Sequence, residues 1–271
     1  MEIPFFKAHG AANDFLLTWR SGMTAVPGLD LAARAICERH TGMGADGWML
    51  IDKTEQPGAD VSIVLYNADG SVSEISGNGT RCVAALLVYQ GAVSGPDVRI
   101  QTGAGLKDLR LLGRSGRHFE FEMNMGRPVT EDLHAILPLA AGPLEAAILN
   151  VGNPQCAVFV DEFPANWREI GAEIEHHPHF PNRTNVSFVR VVDDHRVDVR
   201  IWERGVGETN SSGTGSTGAA ASSVLLGRTK SPVTVETQAG PLEFRWPQSS
   251  GDGSMYLSGP AEITGSGVFL L

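Results

Sequence analysis

The apolar pattern along Val61-Ser-Ile-Val-Leu-Tyr66 and the alternation along Val197-Asp-Val-Arg-Ile-Trp202 each predict a strand. Each is followed by a Ser-Gly-x-Gly turn, Ser76-Gly-Asn-Gly79 and Ser212-Gly-Thr-Gly215, and then by a run rich in small and apolar residues. Both the strand starts and the serines lie 136 residues apart, about half of the 271-residue chain. The pattern therefore describes two similar halves, with a serine turn opening a helix in each and a site expected between them.

The remaining pattern fills in both halves. Phe5 to Ala8 reads as a strand, His9 to Asp14 as a polar turn, and Phe15 to Trp19 as the returning strand. Leu29 to His40 has helical spacing, with Leu31, Ala32, Ile36 and Cys37 as its apolar face and Asp30 as its cap. Asn67-Ala-Asp-Gly70 is a turn, Asn78 to Gln90 a helix closed by Gly91, and Val98 to Arg127 a set of hairpin strands. Pro138 to Ala147 reads as the link between halves. Beyond it come strands at Ile148–Val151 and Cys156–Val160, a helix at Trp167–Glu175 and strands at Val186–Val191 and Val197–Trp202. A helix follows at Thr214–Leu226, closed by Gly227, with strands from Val233 to the C-terminus. A helix apolar around most of its circumference must be buried. The expected fold is α+β, with two pseudo-symmetric halves, 1–137 and 138–271, each a curved mixed sheet wrapped round a central helix.

Composition narrows the function. Hydrophobic residues make up 42% of the chain, enough for two cores. A net charge of -10, with no cluster of Lys or Arg, argues against nucleic acid and against an anionic membrane surface. No apolar run is long enough to span a bilayer and no signal peptide is visible, so a cytoplasmic protein is expected. Three scattered cysteines, Cys37, Cys82 and Cys156, read as reduced thiols packed in the core.

Two segments match G-x-G-x-x-G. Gly42-Met-Gly44-Ala-Asp-Gly47 follows a helix rather than a strand, and Gly213-Thr-Gly215-Ser-Thr-Gly218 lies about ten residues beyond its strand, so neither has the setting of a dinucleotide site. Anion capture is the better reading of the serine turns, because a Gly-rich helix start points several N–H groups at one spot. Ordinary serine capping is the plain alternative, and the duplication favours function. Asn13, Asn67, Asn153 and Asn185 sit in turns and can bond the ammonium and carboxylate of an amino acid. Glu203-Arg204-Gly-Val-Gly-Glu208-Thr209 offers an Arg fork for a distal carboxylate. Glu175-His-His-Pro-His179 has no completing metal partner and reads as a surface turn. None of the four lysines has a setting that suits pyridoxal phosphate.

These pieces together resemble the diaminopimelate epimerase family. The matching segments are Phe6-Lys-Ala-His-Gly-Ala-Ala-Asn-Asp-Phe15, Arg39-His-Thr-Gly-Met-Gly-Ala-Asp-Gly47, Tyr66-Asn-Ala-Asp-Gly-Ser71, Gly77-Asn-Gly-Thr-Arg-Cys82, Val151-Gly-Asn-Pro154, Arg183-Thr-Asn-Val186 and Trp202-Glu-Arg-Gly-Val-Gly-Glu-Thr209. The resemblance implies two α/β halves with the site in the cleft, no metal or other cofactor, a small amino-acid substrate and often a homodimer. It implies two cysteines as opposed proton carriers, but their positions hold Ser76 and Ser212 here, and Gln155 stands where the family has a His. It further implies substrate contacts from Asn13, Asn67, Asn153, Asn185, Glu203 and Arg204, with Gly77, Asn78, Gly213 and Thr214 gripping the reacting carboxylate.

The serines change the chemistry. A free thiol titrates at about 8.5 and a serine hydroxyl several units higher, at about 1.36 kcal/mol per unit. A helix dipole contributes at most ~2 kcal/mol, so each serine needs an adjacent base. Glu203, Glu208, Glu74 and Asp69 are near in sequence, and Glu203 joins Ser76 and Ser212 as the expected catalytic set. Two other readings are a ligand-binding homologue without turnover and a related isomerase or dehydratase that uses a carboxylate base.

Overall fold

The computed structural model describes residues 1–247 and 253–271. Its chain divides into two compact units, Met1–Met123 with Gly259–Leu271, and Asn124–Ser258. Mixed sheet and four α-helices make up the regular structure among the described residues.

In the first unit the order is β1 (Glu2–Gly10), β2 (Asn13–Trp19), α1 (Leu29–Cys37), β3 (Gly47–Lys53), β4 (Val61–Asn67), β5 (Val72–Ser73), α2 (Gly77–Tyr89), β6 (Asp97–Thr102), β7 (Gly105–Ser115) and β8 (His118–Gly126). Strands β2 and β3 pair in parallel across α1, and β4 and β6 pair in parallel across α2. The other pairings joining β1–β2, β3–β4, β6–β7 and β7–β8 are antiparallel. Helix α2 is buried continuously from Gly77 to Leu87 and packs on β1, β2 and β6.

The second unit contains β9 (Val129–Leu139), β10 (Gly142–Asn150), β11 (Pro154–Phe159), α3 (Trp167–Glu175), β12 (Asn185–Asp193), β13 (Arg196–Glu203), β14 (Gly207–Thr209), α4 (Gly213–Leu225), β15 (Val233–Thr237) and β16 (Gly240–Arg245). Here β11 and β12 are parallel across α3, and β13 and β15 are parallel across α4. Strand β17 (Met255–Leu270) begins against β16 and ends against β1. The expected run of strands from Val233 onward crosses residues 248–252, which lie outside the described residues.

Helix α4 consists of small residues over most of its length, Gly213-Thr-Gly-Ser-Thr-Gly-Ala-Ala-Ala-Ser-Ser. Small size permits close approach: a Cβ on Gly218 would stand 2.9 Å from the Gln155 side chain. The hydroxyls of Thr217 and Ser222 donate back to the carbonyls of Gly213 and Gly218, at 2.7 Å each, so these polar residues can lie inside the unit.

Several expectations change. Pro138–Ala147 is no linker: Leu139 and Gly142 flank the tip of the β9–β10 hairpin, so the unit boundary falls at 123/124 instead of 137/138, and the C-terminal residues return to the first unit. The hairpin's alternating pattern had been masked by Pro138 and Pro143, which face each other across it. Asp30 does not cap α1, since Gly28 takes the cap position and Asp30 lies in the first turn. Leu31 is 65% exposed, while Ala32, Ala33, Ile36 and Cys37 form the buried face. The turn after β1 is Ala11-Ala12 alone, and Asn13 and Asp14 open β2. The glycines of Gly42–Gly47 serve packing: a Cβ on Gly42 would lie 2.2 Å from the carbonyl of Ala35 in α1.

Candidate functional site

Ser76 and Ser212 are both N-caps. Ser76 has extended backbone, and its Oγ accepts from Gly79 N at 3.1 Å. Ser212 does the same for Gly215 N at 3.2 Å. Capping and function are compatible here, because a cap oxygen accepts while its own proton stays free to move elsewhere.

In the first unit the serine turn is tied to a chain of polar groups. Arg81, fully buried, donates to Asn78 Oδ1 at 2.6 Å and to the Gly77 carbonyl at 3.4 Å. Burial pulls its guanidinium down to about 10. Asn78 Nδ2 donates to Asn13 Oδ1 at 3.3 Å, and Asn13 Nδ2 donates to Asp46 Oδ2 at 2.7 Å. Arg39 bridges Asp46 and Asp14, at 2.7 and 2.8 Å, and Lys7 meets Asp14 at 2.9 Å. Burial raises the Asp14 carboxyl, but the Arg39 and Lys7 donors more than offset it and hold the group below its ordinary value. Asn67 Nδ2 donates to Ser71 Oγ at 3.0 Å, which fixes the turn after β4. An apolar cleft lined by Pro4, Phe6, Trp19 and Val268 lies in this unit and contains none of the candidate residues.

In the second unit Asn153 Oδ1 accepts from Gln155 Nε2 at 2.7 Å, and Asn153 Nδ2 reaches Thr214 Oγ1 at 3.4 Å. Asn185 joins two backbone segments: its Nδ2 donates to the Pro154 carbonyl and its Oδ1 accepts from Arg204 N, each at 3.0 Å. Arg204 Nη1 donates to the Asn182 carbonyl at 3.2 Å. Among the described residues no carboxylate pairs with the Arg204 guanidinium.

The four nearby carboxylates separate by environment. Burial pushes the Glu203 carboxyl up, and the Thr209 and Ser212 hydroxyls offset this in part. Glu208 is clamped by Arg168 at 2.6 and 2.9 Å, which holds its pKa down. Asp69 is held down by the hydroxyl and N–H of Ser71. Glu74 is exposed. Of the four, only Glu203 has a raised pKa, and a candidate serine, Ser212, is among the groups that lower it again. The cysteines do not compete: Cys37, Cys82 and Cys156 are buried, and burial pushes each thiol up to about 12.

The family model for diaminopimelate epimerase matches residues 5–131 and 147–264. The chain belongs to the diaminopimelate epimerase family. It is 39% identical to the diaminopimelate epimerase of Pelotomaculum thermopropionicum, over 98% of this chain and 98% of that protein. It is 38% identical to that of Moorella thermoacetica, over 98% and 99%. Solved structures share the fold at low identity. A probable proline racemase from Agrobacterium radiobacter superposes with a TM-score of 0.73 at 17% identity, covering 98% of this chain and 92% of that one. A Bacillus anthracis phenazine biosynthesis protein of the PhzF family reaches 0.74 at 15%, covering both chains in full. As a diaminopimelate epimerase homologue the protein is an isomerase by family.

Sequence reading missed Arg81 and Asp46, which hold Asn78 and Asn13. It also placed Glu175 in a surface turn, whereas Glu175 is 3% exposed. The three neighbouring histidines obscured it; the available signal was that it closes the apolar face of α3 with Trp167 and Ile174.

Proposed function

We propose that the protein is a cofactor-independent amino-acid isomerase that interconverts LL- and meso-diaminopimelate. Ser76 and Ser212 take the two proton-transfer positions, and Glu203 is the carboxylate behind Ser212. The observation that carries this reading is a Glu203 carboxyl whose pKa is raised by desolvation and lowered in part by the Ser212 hydroxyl, which makes it a readier proton acceptor than an ordinary glutamate. Removal of the α-proton would pass a proton from substrate carbon to Ser212 Oγ while the serine's own proton moves to Glu203. Inversion then requires Ser76 Oγ to give its proton to the opposite face of the carbanion; exchange with solvent afterwards returns a proton to Ser76 and removes the one held by Glu203. Nothing equivalent supports Ser76, whose neighbour Arg81 is a cation and favours the substrate's carboxylate.

Asn13, Asn67, Asn153 and Asn185 are each anchored by protein hydrogen bonds and retain spare donor or acceptor capacity for substrate. The Arg204 guanidinium would take the distal carboxylate. Gly77, Asn78, Gly213 and Thr214 lie at helix starts, where the first N–H groups have no intrahelical acceptor. Two pseudo-symmetric halves, a cytoplasmic place in lysine and peptidoglycan precursor synthesis, and a homodimer complete the reading. Incubation with LL-diaminopimelate followed by chiral chromatography tests it: meso product is expected, and its absence would remove the assignment.

The alternative is a binding protein without turnover. It is favoured by both serines being engaged as caps and by all three thiols being buried. Calorimetric binding of diaminopimelate with no product would select it.

A further inference from the structure

The carboxylate of Glu175, the last residue of α3, meets three donors and no acceptor. Its Oε2 accepts from Trp202 Nε1 at 2.8 Å. Its Oε1 accepts from Gly205 N at 2.8 Å and from Arg183 Nη1 at 3.2 Å. The donors belong to two different segments. Trp202 and Gly205 bracket Glu203 and Arg204, so bonding both ends fixes the pair between them. Arg183 lies two residues before Asn185 and holds a left-handed backbone, with φ of 60°, which an L side chain adopts only when its surroundings impose it. The same two segments are joined again where Arg204 N and Nη1 donate to Asn185 Oδ1 and the Asn182 carbonyl.

We propose that Glu175 is the positioning residue of the second unit's half of the site: one buried carboxylate sets where Glu203, Arg204 and Asn185 stand. The inference rests on the reading that these three serve the reaction. An ionised carboxylate suits the task because it is acceptor-only; an amide would turn an N–H towards one of three donors. Burial raises the Glu175 carboxyl, and the Trp202 and Gly205 donors more than reverse this, so it stays ionised below the usual range. The charge of the adjacent His176, and that of Arg183, add smaller lowering contributions.

Glu175→Gln keeps the volume and sets its N–H against the Trp202 indole or the Gly205 and Arg183 donors. Hydrogen exchange with mass spectrometry should then show faster exchange in segments 182–186 and 202–208, with the β9–β10 hairpin unchanged. kcat/KM for diaminopimelate should fall by about 10- to 100-fold, through kcat because Glu203 loses its placement and through KM because Arg204 and Asn185 lose theirs. Trp202→Phe removes one donor, so Trp202→Phe/Glu175→Gln should recover most of the loss relative to Trp202→Phe alone. This pair also serves should the single variant fail to fold. Unchanged exchange in both segments, or loosening spread evenly through the unit, would overturn the proposal. If the unaltered protein turns over no diaminopimelate, the assigned function fails, and the local exchange pattern alone decides the role of Glu175.

Discussion

The Arg81 guanidinium donates to Asn78 Oδ1 at 2.6 Å inside the first turn of α2, whereas in α4 the matching Thr214 Oγ1 meets the neutral Asn153 amide at 3.4 Å. At the matching sequence offset α4 carries Thr217, whose hydroxyl returns to the Gly213 carbonyl at 2.7 Å. One serine turn therefore stands beside a buried cation, Arg81, and the other near a half-buried carboxyl with a raised pKa, Glu203. The two turns are alike in backbone and opposite in electrostatics. The first is suited to holding an anion, and the second to moving a proton.

Arg81→Met tests the anion role. It loses a charge-assisted hydrogen bond but also relieves the desolvation of a buried ion, so these terms largely cancel. Denaturant melts should show a stability change under about 2 kcal/mol. Calorimetry with diaminopimelate should show a clear loss of affinity, because Asn78 and through it Asn13 lose their anchor. Unchanged affinity would remove Arg81 from the site.

Glu203 carries a pH signature. Its folded pKa is raised, so the fold favours the neutral carboxyl. That stabilisation is complete below the ordinary glutamate range and is lost as pH rises through the raised folded value. Glu203→Gln removes the loss, so the variant's stability relative to the unaltered protein should increase as pH rises from the ordinary glutamate range through the raised folded value. Glu175 works in the opposite sense: its lowered pKa stabilises the fold at neutral pH, and that contribution fades as acid protonates it. Thermal melts across pH check both slopes. Proton transfer needs Glu203 ionised, so turnover should rise through the same raised value from the acid side.

The turn that presents Asn13 is strained. Ala11 and Ala12 have φ of 49° and 58°, a conformation that costs an L residue roughly 1–2 kcal/mol. Ala12→Gly should stabilise the protein by up to about 1 kcal/mol, less the extra backbone freedom glycine gains when unfolded. Equilibrium unfolding measures this, and a loss of stability would mean that the Ala12 methyl contributes packing.

Each serine cap has a structural value separable from chemistry. Ser76→Ala and Ser212→Ala should each cost about 1 kcal/mol, the usual value of a cap. Only Ser212→Ala also removes a hydroxyl that lowers the Glu203 pKa, so it should push that carboxyl higher and move upward the pH at which the neutral Glu203 ceases to stabilise the fold. A pH profile that moves equally in both variants would contradict the unequal roles of the turns.

Much of this was legible in the residues. The strand–turn–helix repeat located β4, α2, β13 and α4 because period-two alternation and serine caps are local signals. The resemblance supplied the site residues by position. The β9–β10 hairpin was hidden because the paired prolines, Pro138 and Pro143, imitate a linker. The return of the C-terminus to β1 was hidden because the pairing of Glu2 with Leu270 is as non-local as the chain allows. Leu31 was misassigned because helical phase over nine residues tolerates an error of one position. The anchors Asp46 and Glu175 were invisible because their partners lie on other elements, and Arg81, which bonds Asn78 on its own helix, because nothing local distinguishes a buried charge from a surface one.

The central claim is that a serine backed by a half-buried glutamate moves the α-proton. Loss of the α-hydrogen signal of diaminopimelate in D2O, followed by NMR after the protein has been treated with a thiol-alkylating reagent, tests it most directly. Exchange should persist after alkylation, because no accessible thiol takes part, and should be abolished in Ser212→Ala and Glu203→Gln. Exchange that alkylation stops, or that survives in both variants, would contradict the account.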